Sequence, residues 1–512
     1  MKHAARPAVY PSLAEMTPLV QTKDRPRVLI VDMNNFATFP TLAIGILVAS
    51  LRNAGLDVRV LCPLAYNVPA AERERRENFV DQVKRRVHQS TWRPFQVGRN
   101  TARRARQWWV NRPHRRVIAE TARAMDAKPD IVLLSAYLQH YHSVCAIGRL
   151  AKDRGIPLVV GGPVFNMDDV AEAWRSVPGL TAIVGAEVDA SLPALVQEVL
   201  DGGDLLKFEG VVLPDGRKSA PSRPMRPLSQ IPLPDFTDFP WDRYRMRVVP
   251  VMAGRGCQWA KCTFCSDVVS ASGRTFRSRT LESVLYELRE QSLRHQSTNF
   301  LFLDLKLNSN PAIFRGISEN IQRLVPGAQW IGTVHVDERD DNGLTRRDLR
   351  AAAVSGMRRI SFGLESGSQR MLDLMQKGSN VERNAAFIRD AHEAGLSVRC
   401  TMFKGYPGET AQDLEKTASF LEEHQAYIDR VRFNDLSVIE DTPLYEQLRY
   451  RPETLTGLRL TRLDQRHAKA LFVNADTEGR AYRRAKARLS AAVYAINRRK
   501  VRVAATAFDG MM

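Results

Sequence analysis

The stretch GRGCQWAKCTFCSD, residues 254–267, sets Cys257, Cys262 and Cys265 in C-x4-C-x2-C spacing. Thiolates are the ligands that iron–sulfur clusters and zinc prefer, and spacing this close lets one loop wrap a metal centre. Three cysteines leave one position of such a centre without a protein ligand, an opening useful only if something else binds there. A zinc knuckle needs a fourth Cys or His nearby, and none follows closely. The other cysteines, Cys62, Cys145 and Cys400, stand singly in apolar runs and read as small buried hydrophobes. In a reducing compartment the clustered three suggest metal rather than disulfides.

Outward from this loop, VVPVMAGRGC (248–257) opens a series of apolar runs. The later ones are FLFLDLKLN (300–308), AQWIGTVHVD (328–337), RRISFGLESG (358–367), SVRCTMFKGYPGET (397–410) and IDRVRFNDLSVI (428–439), with helical stretches such as VERNAAFIRDAHEAG between them. Six parallel strands in about 190 residues suit a partial (β/α)6 barrel, whose chemistry lies at the strand C-termini. We assign it to 248–440, followed by a basic, mainly helical C-terminal region, 441–512.

Upstream, a first alternating series runs through RVLIVDM (27–33), DVRVLCP (57–63), DIVLLSAY (130–137), IPLVVGGPV (156–164) and TAIVGAEVD (181–189). TLAIGILVASLRNAG (41–55) is helical and ends on Gly55, a good C-cap. Five such strands imply a parallel sheet covered on both faces, a Rossmann-like (flavodoxin-like) domain over 27–203 after a lead-in, 1–26. Ligands on such sheets bind at the carboxyl ends of the strands. Those ends carry Asp32–Asn35, Ser135–Tyr137, Gly161–Gly162–Pro163 and Gly185–Glu187. The fold class is therefore α/β, with two domains joined by a Pro-rich linker, 204–247. No G-x-G-x-x-G fingerprint is present, which leaves dinucleotide binding with little support.

Composition bounds the function. A chain of 512 residues is too long for one core. With 44% apolar and 26% charged residues it is globular rather than disordered. No apolar run approaches the roughly 20 residues of a membrane helix, and no leader pattern opens the chain, so a cytoplasmic address is expected. The net charge of +19 favours anionic partners or a well-solvated basic surface. Much of the Arg content lies in an insertion at 71–116 that also holds Trp92, Trp108 and Trp109. These residues could grip an anionic or aromatic substrate; the plainer reading is a solvated helix pair with inward tryptophans.

GRGCQWAKCTFCSD, LFLDLKLN, RRISFGLESGSQRML, MQKG and FKGYPGET, in that order, resemble the radical S-adenosylmethionine (SAM) superfamily over about 225–445. The resemblance implies a [4Fe–4S] cluster on Cys257, Cys262 and Cys265, with SAM chelating the fourth iron. It implies adenine contacts at Phe264 and at the turn Gly405, Tyr406 and Pro407. It implies contacts to the methionine part or ribose at Asp304, Glu365, Ser366 and Arg399. It further implies a 5′-deoxyadenosyl radical that abstracts hydrogen from an unactivated carbon.

FPTLAIGILVASLRNAGLDVRVL, LVVGGPV and IVGAE resemble the cobalamin-binding domain found before many such barrels. This implies cobalamin contacts among Asn35, Ser135, Tyr137, Gly161, Gly162 and Glu187. The D-x-H-x-x-G element is absent from DMNNFATFP, so no histidine is expected on cobalt, and His140 and His142 read as exposed loop residues. The resemblance points to a cobalamin-dependent C-methyltransferase acting on a natural-product or peptide substrate, anionic ones included, with flavodoxin or ferredoxin as electron donor. Neither a membrane span nor a nucleic-acid partner is expected. The alternatives are a cyclase or rearrangement enzyme of the same two domains and an RNA-modifying methylthiotransferase. That last family adds cysteines in its N-terminal domain, where this chain has only Cys62 and Cys145. A basic RNA-binding protein with a zinc knuckle is a further, non-enzymatic alternative.

Overall fold

The computed structural model describes residues 25–34, 38–63, 76–89, 112–185, 187–266, 275–337, 343–455 and 457–511, together with 95, 97–99, 101, 102 and 105. Asn35 and the three tryptophans of the Arg-rich insertion lie outside the described residues.

The first sheet holds β1 (Arg27–Asp32), β2 (Asp57–Leu61), β3 (Ile131–Ser135), β4 (Leu158–Gly161), β5 (Leu180–Val184) and β6 (Val211–Val212), in the order β2-β1-β3-β4-β5-β6. The first five are parallel, and this is the flavodoxin-like winding, whose switch point lies between β1 and β3. Alternation along β1 fills two cores. Val28 and Ile30 pack with the helices Leu42–Asn53 and Leu192–Asp201, while Leu29 and Val31 face Arg115–Met125, Tyr141–Asp153 and Asp168–Trp174.

The stretch 204–247, read as a linker, does more than connect. It supplies β6, an antiparallel edge strand, and it inserts Phe236 over the helix Leu42–Asn53. A Cβ at Gly45 would lie 2.3 Å from the Phe236 ring, so only glycine admits this contact. Arg52 on the same helix pairs with Asp235 at 2.7 Å and Asp238 at 2.8 Å. The prolines did exclude long helices, but short-range pattern does not report these long-range contacts.

The second sheet holds β7 (Val249–Val251), β10 (Asn299–Phe302), β11 (Gln329–Val334), β12 (Met357–Glu365), β13 (Ser397–Lys404) and β14 (Arg430–Asp435). All are parallel, in the order β14-β13-β12-β11-β10-β7, a partial barrel with helices outside. Between β7 and β10 a two-stranded antiparallel ribbon, β8 (Gly254–Gly256) with β9 (Phe276–Ser278), frames the cysteine loop. The run at 300–308 is a shorter strand than its apolarity suggests, because Leu307–Ser309 turns into a 3-10 helix.

Beyond the barrel come β15 (Val438–Ile439), β16 (Leu458–Asp464) and β17 (Lys469–Asn474), a small antiparallel sheet added to the helices Pro443–Tyr450 and Arg480–Asn497. The chain then passes under the barrel. Phe508 and Met511 pack with Val248, Leu301 and Ile331, and the buried Arg359 donates to the carbonyls of Phe508 and Met511. The N-terminal end of the barrel is thus closed by the tail.

Candidate active site

The cysteine loop leaves the ribbon at Gly256, where φ is +85° and a Cβ would lie 1.7 Å from the Thr275 carbonyl oxygen. It is then strapped to the segment 375–378. The Thr263 amide donates to the Met375 carbonyl at 3.1 Å, and the Trp259 indole Nε1 donates to the Gln376 carbonyl at 2.7 Å. Thr263 Oγ1 also meets the Tyr406 hydroxyl at 2.7 Å, which ties the loop to the turn after β13. Cys262 is buried and Cys257 and Cys265 are half-buried. Among the described residues, no three His, Cys, Asp or Glu side chains close on one point as a single-ion site requires.

Lys377 completes the site, and the sequence reading assigned it no role although MQKG contains it. Its ammonium is buried and pairs with Glu365 at 2.8 Å. Burial opposes that charge, but Glu365 and the Cys262 and Cys265 thiols more than offset it and hold Lys377 above its ordinary pKa. Reciprocally, burial pushes the Cys262 thiol up while Lys377 pulls it down. A cation so placed favours thiolate, the metal-binding form. Gly363 makes room: a Cβ there would lie 2.1 Å from Glu365 Oε1 and 2.6 Å from Lys377 Nζ. Glu365 itself sits at φ +58° beside a register shift against β13, the kind of local strain that persists only where surroundings impose it.

The other residues singled out for SAM fall into two groups. Cys400 and Met402 of β13 are in the core under the helices, so Arg399 and Phe403 lie on the inner face of the barrel. Phe403 meets Phe264 edge to face at 4.7 Å. The second group is engaged within the chain. Asp304, pushed up to about 7 by burial, accepts from the Ala253 amide at 3.0 Å and so fixes the lead-in to the ribbon. Ser366 Oγ lies 3.0 Å from Thr417 Oγ1, turned toward a helix. The Gly405 amide donates to Glu409 at 2.6 Å, and the Gly405 carbonyl accepts from Asn474 at 3.1 Å. Tyr406 and Pro407 complete this turn, with the Tyr406 carbonyl accepting from the Glu409 amide at 3.0 Å. The barrel interior also holds the buried pair Lys306–Asp337 at 2.6 Å, with His335 beside it.

A cavity of about 580 Å³ runs between the carboxyl edge of the first sheet and the barrel. Ser135, Tyr137, Gly161, Gly162 and Glu187 line it from one side, and Met252, Gly254, Arg255, Gly256, Leu303 and Leu305 from the other. Five of the six residues expected to touch cobalamin are thereby brought together. Among its described lining residues there is no histidine. His142 is exposed as expected, whereas His140 is half-buried, with its pKa pushed down to about 4 by burial and by His114. That burial comes from the 3-10 turn Leu138–His140, which pattern reading took for a loop.

Four charges clamp the cavity. Glu187 accepts from Arg277 at 2.6 and 2.8 Å, and Asp189 accepts from Arg255 at 2.7 and 2.8 Å. Both arginines belong to the ribbon that carries the cysteine loop, and both carboxylates to the segment after β5. Nothing in local sequence pattern marks these partners, which are more than 60 residues apart.

Residues 251–421 match the sequence profile of the Radical SAM superfamily. The chain carries a radical SAM domain. An uncharacterized methyltransferase of Pyrococcus horikoshii is 27% identical over 328 residues, 62% of this chain and 69% of the relative. Methylthiotransferases are among further curated relatives. In fold, the chain is similar to the cobalamin-dependent SAM radical enzyme OxsB, solved with aqua-cobalamin and SAM bound. The TM-score is 0.65 at 16% identity, over 89% of this chain and 65% of that one, so this chain spans a little under two thirds of OxsB. It is similar too to the radical SAM methyltransferase TsrM of Kitasatospora setae, solved with cobalamin and a [4Fe–4S] cluster. There the TM-score is 0.63 at 16% identity, over 92% and 91% of the two chains. The radical SAM domain and the flavodoxin-like sheet before it therefore share the fold of these two enzymes. No helix among the described residues is long and apolar enough to cross a membrane.

Proposed function

We propose that the protein is a cobalamin-dependent radical SAM enzyme that methylates an unactivated carbon of a small-molecule or peptide substrate. The observation that carries the reading is the single cavity that joins the strand ends of the first sheet to the ribbon bearing Cys257, Cys262 and Cys265. The residues present fit the groups implied. Three clustered thiols, two of them near a buried ammonium, suit an iron–sulfur cluster with one iron left open. A mostly apolar cavity at a flavodoxin-like switch point suits a flat cofactor approached closely by backbone at Gly161 and Gly162. When bound, the cluster and SAM supply the radical that takes hydrogen from the substrate, and cobalamin supplies the methyl group.

The chain's own residues hold and shield. Glu365 and Arg399 face the interior where the charged part of SAM would lie, and Phe264 with Phe403 offers an edge for adenine. The tail closes the barrel below and the first domain covers it above, which excludes water from a reactive centre. An external one-electron donor of flavodoxin or ferredoxin type is required. A methylthiotransferase reading would call for a second cluster in the first domain. Cys62 lies in the core on one face of that sheet and Cys145 in the core on the other, a placement that favours the methyltransferase.

The test is anaerobic reconstitution. The protein should bind four irons and about one cobalamin, and cleave SAM to 5′-deoxyadenosine. Electron paramagnetic resonance of Co(II) should show no axial nitrogen splitting. Replacing the three clustered cysteines by Ala should abolish iron binding and SAM cleavage; retained cleavage would sink the assignment. A product heavier by one CH2 supports methylation, and one lighter by two hydrogens supports cyclisation instead.

A further inference from the structure

The helix Phe79–Gln89, part of the Arg-rich insertion, faces a groove that it shares with the C-terminal helix Arg480–Asn497. Its approach is pinned at one end: the Glu77 amide donates to the Asn497 carbonyl at 3.1 Å, and Asn497 Nδ2 donates to Glu77 at 2.8 Å. From there the two helices flank a groove of about 640 Å³ lined by Arg85, Arg86, Arg480, Arg483, Arg484 and Lys486. Arg85 pairs with Glu77. Among the described residues, the other five have no carboxylate partner. Burial, Arg99 and Arg483 hold the Lys486 ammonium below its ordinary pKa, the mark of cations gathered without a counter-charge.

The helix that walls the groove also reaches the C-terminal end of β13. Tyr482, inside the cationic run, donates to Glu409 at 2.5 Å, and Glu409 holds the Gly405 amide of the turn after β13. Lys404, the last residue of β13, is pushed down to about 8 by burial and then by Lys486. Its chain neighbour Phe403 touches Phe264 of the cysteine loop.

We propose that this groove binds adjacent phosphates on the substrate, so that the enzyme acts on a small molecule carrying a di- or polyphosphate. The inference rests on the reading of the barrel as the catalytic centre. Arginine forks read phosphate oxygens two at a time, and five cations with no carboxylate partner among the described residues match a multiply charged anion better than a single one. The volume is that of a small-ligand site. Among the described residues no aromatic side chain lines it, whereas single-stranded nucleic acid is held by cationic tracks interleaved with stacking rings.

The probe is inorganic triphosphate, titrated calorimetrically into the full-length reconstituted protein. One site per chain is expected, at least about tenfold tighter than orthophosphate and weakened by salt. The double substitution R483Q/R484Q should lower triphosphate affinity about tenfold or more, since each removes charge-assisted hydrogen bonds. K84Q/R123Q removes the same charge from exposed positions outside the groove and should change affinity less than about twofold. No saturable site, equal affinity for orthophosphate, or equal losses in the two double variants would overturn the proposal. So would a single-stranded RNA of about twelve nucleotides that needs Arg483 and Arg484 and is not displaced by triphosphate. Triphosphate binding in a preparation that holds no cluster strikes the catalytic reading and leaves the groove; SAM cleavage without triphosphate binding does the reverse.

Discussion

Replacing Lys377 by Met probes the electrostatics of the cysteine loop. The ammonium lies 2.8 Å from Glu365, and both side chains are under one-tenth exposed, at 8% and 9%. Removing one partner of such a pair leaves the other as an uncompensated buried charge, at a cost of about 3–5 kcal/mol. That is a large share of a stability of roughly 5–15 kcal/mol. K377M/E365Q removes both charges and should recover most of the loss. The assay is urea unfolding of reduced, metal-free protein, so that cluster occupancy does not enter. The sign with pH is fixed as well. Lys377 is raised above its ordinary 10.5, so its contribution is full below that value and is lost only as pH rises through the still higher folded pKa. The K377M deficit should therefore be the same at pH 6 and pH 9. A K377M variant within about 1 kcal/mol of the parent, or a double variant no better than the single, would refute the reasoning.

Three further perturbations test other parts. Gly378→Ala forces a Cβ to 2.2 Å from Trp259 Cζ2 at φ +62°, and should cost roughly 2–5 kcal/mol from backbone strain and overpacking, seen as a lower Tm. Glu409, pushed up to about 7 by burial from 4.5, contributes stability that is full below pH 4.5 and lost as pH rises through 7. E409Q should thus gain roughly 3 kcal/mol on the parent between pH 5 and 8, and equal urea midpoint shifts at both would exclude this. Arg277→Met strands Glu187, with Arg255 3.2 Å away as partial relief, and should cost roughly 3 kcal/mol and loosen cobalamin retention while iron content holds. Unchanged corrinoid affinity would separate the clamp from the cavity.

Much of this layout is legible in the chain itself. Cys257, Cys262 and Cys265 announce themselves by spacing, and the strand ends at Ser135, Gly161 and Gly162 by the apolar runs before them. Those signals are local: a period, a turn glycine, a short motif. Lys377 is invisible by such means, because its role arises from Glu365 twelve residues away and from a loop more than a hundred residues upstream. The same holds for Arg277 with Glu187, and for Phe508 at the foot of the barrel. Asp304 and Ser366 show where pattern reading leaves two roles open. An acid or hydroxyl at a strand end is equally suited to binding a ligand and to satisfying a backbone or side-chain group nearby, and only the fold distinguishes them.

The ribbon Gly254–Gly256 is at once a wall of the cavity and the lead-in to Cys257. Filling the one and loading the other would be coupled equilibria wherever the ribbon has more than one setting. If corrinoid prefers the ribbon in one setting, it changes the affinity of the cysteine loop for iron by some factor. Thermodynamic reciprocity requires iron to change the affinity for corrinoid by the same factor, whichever arrives first.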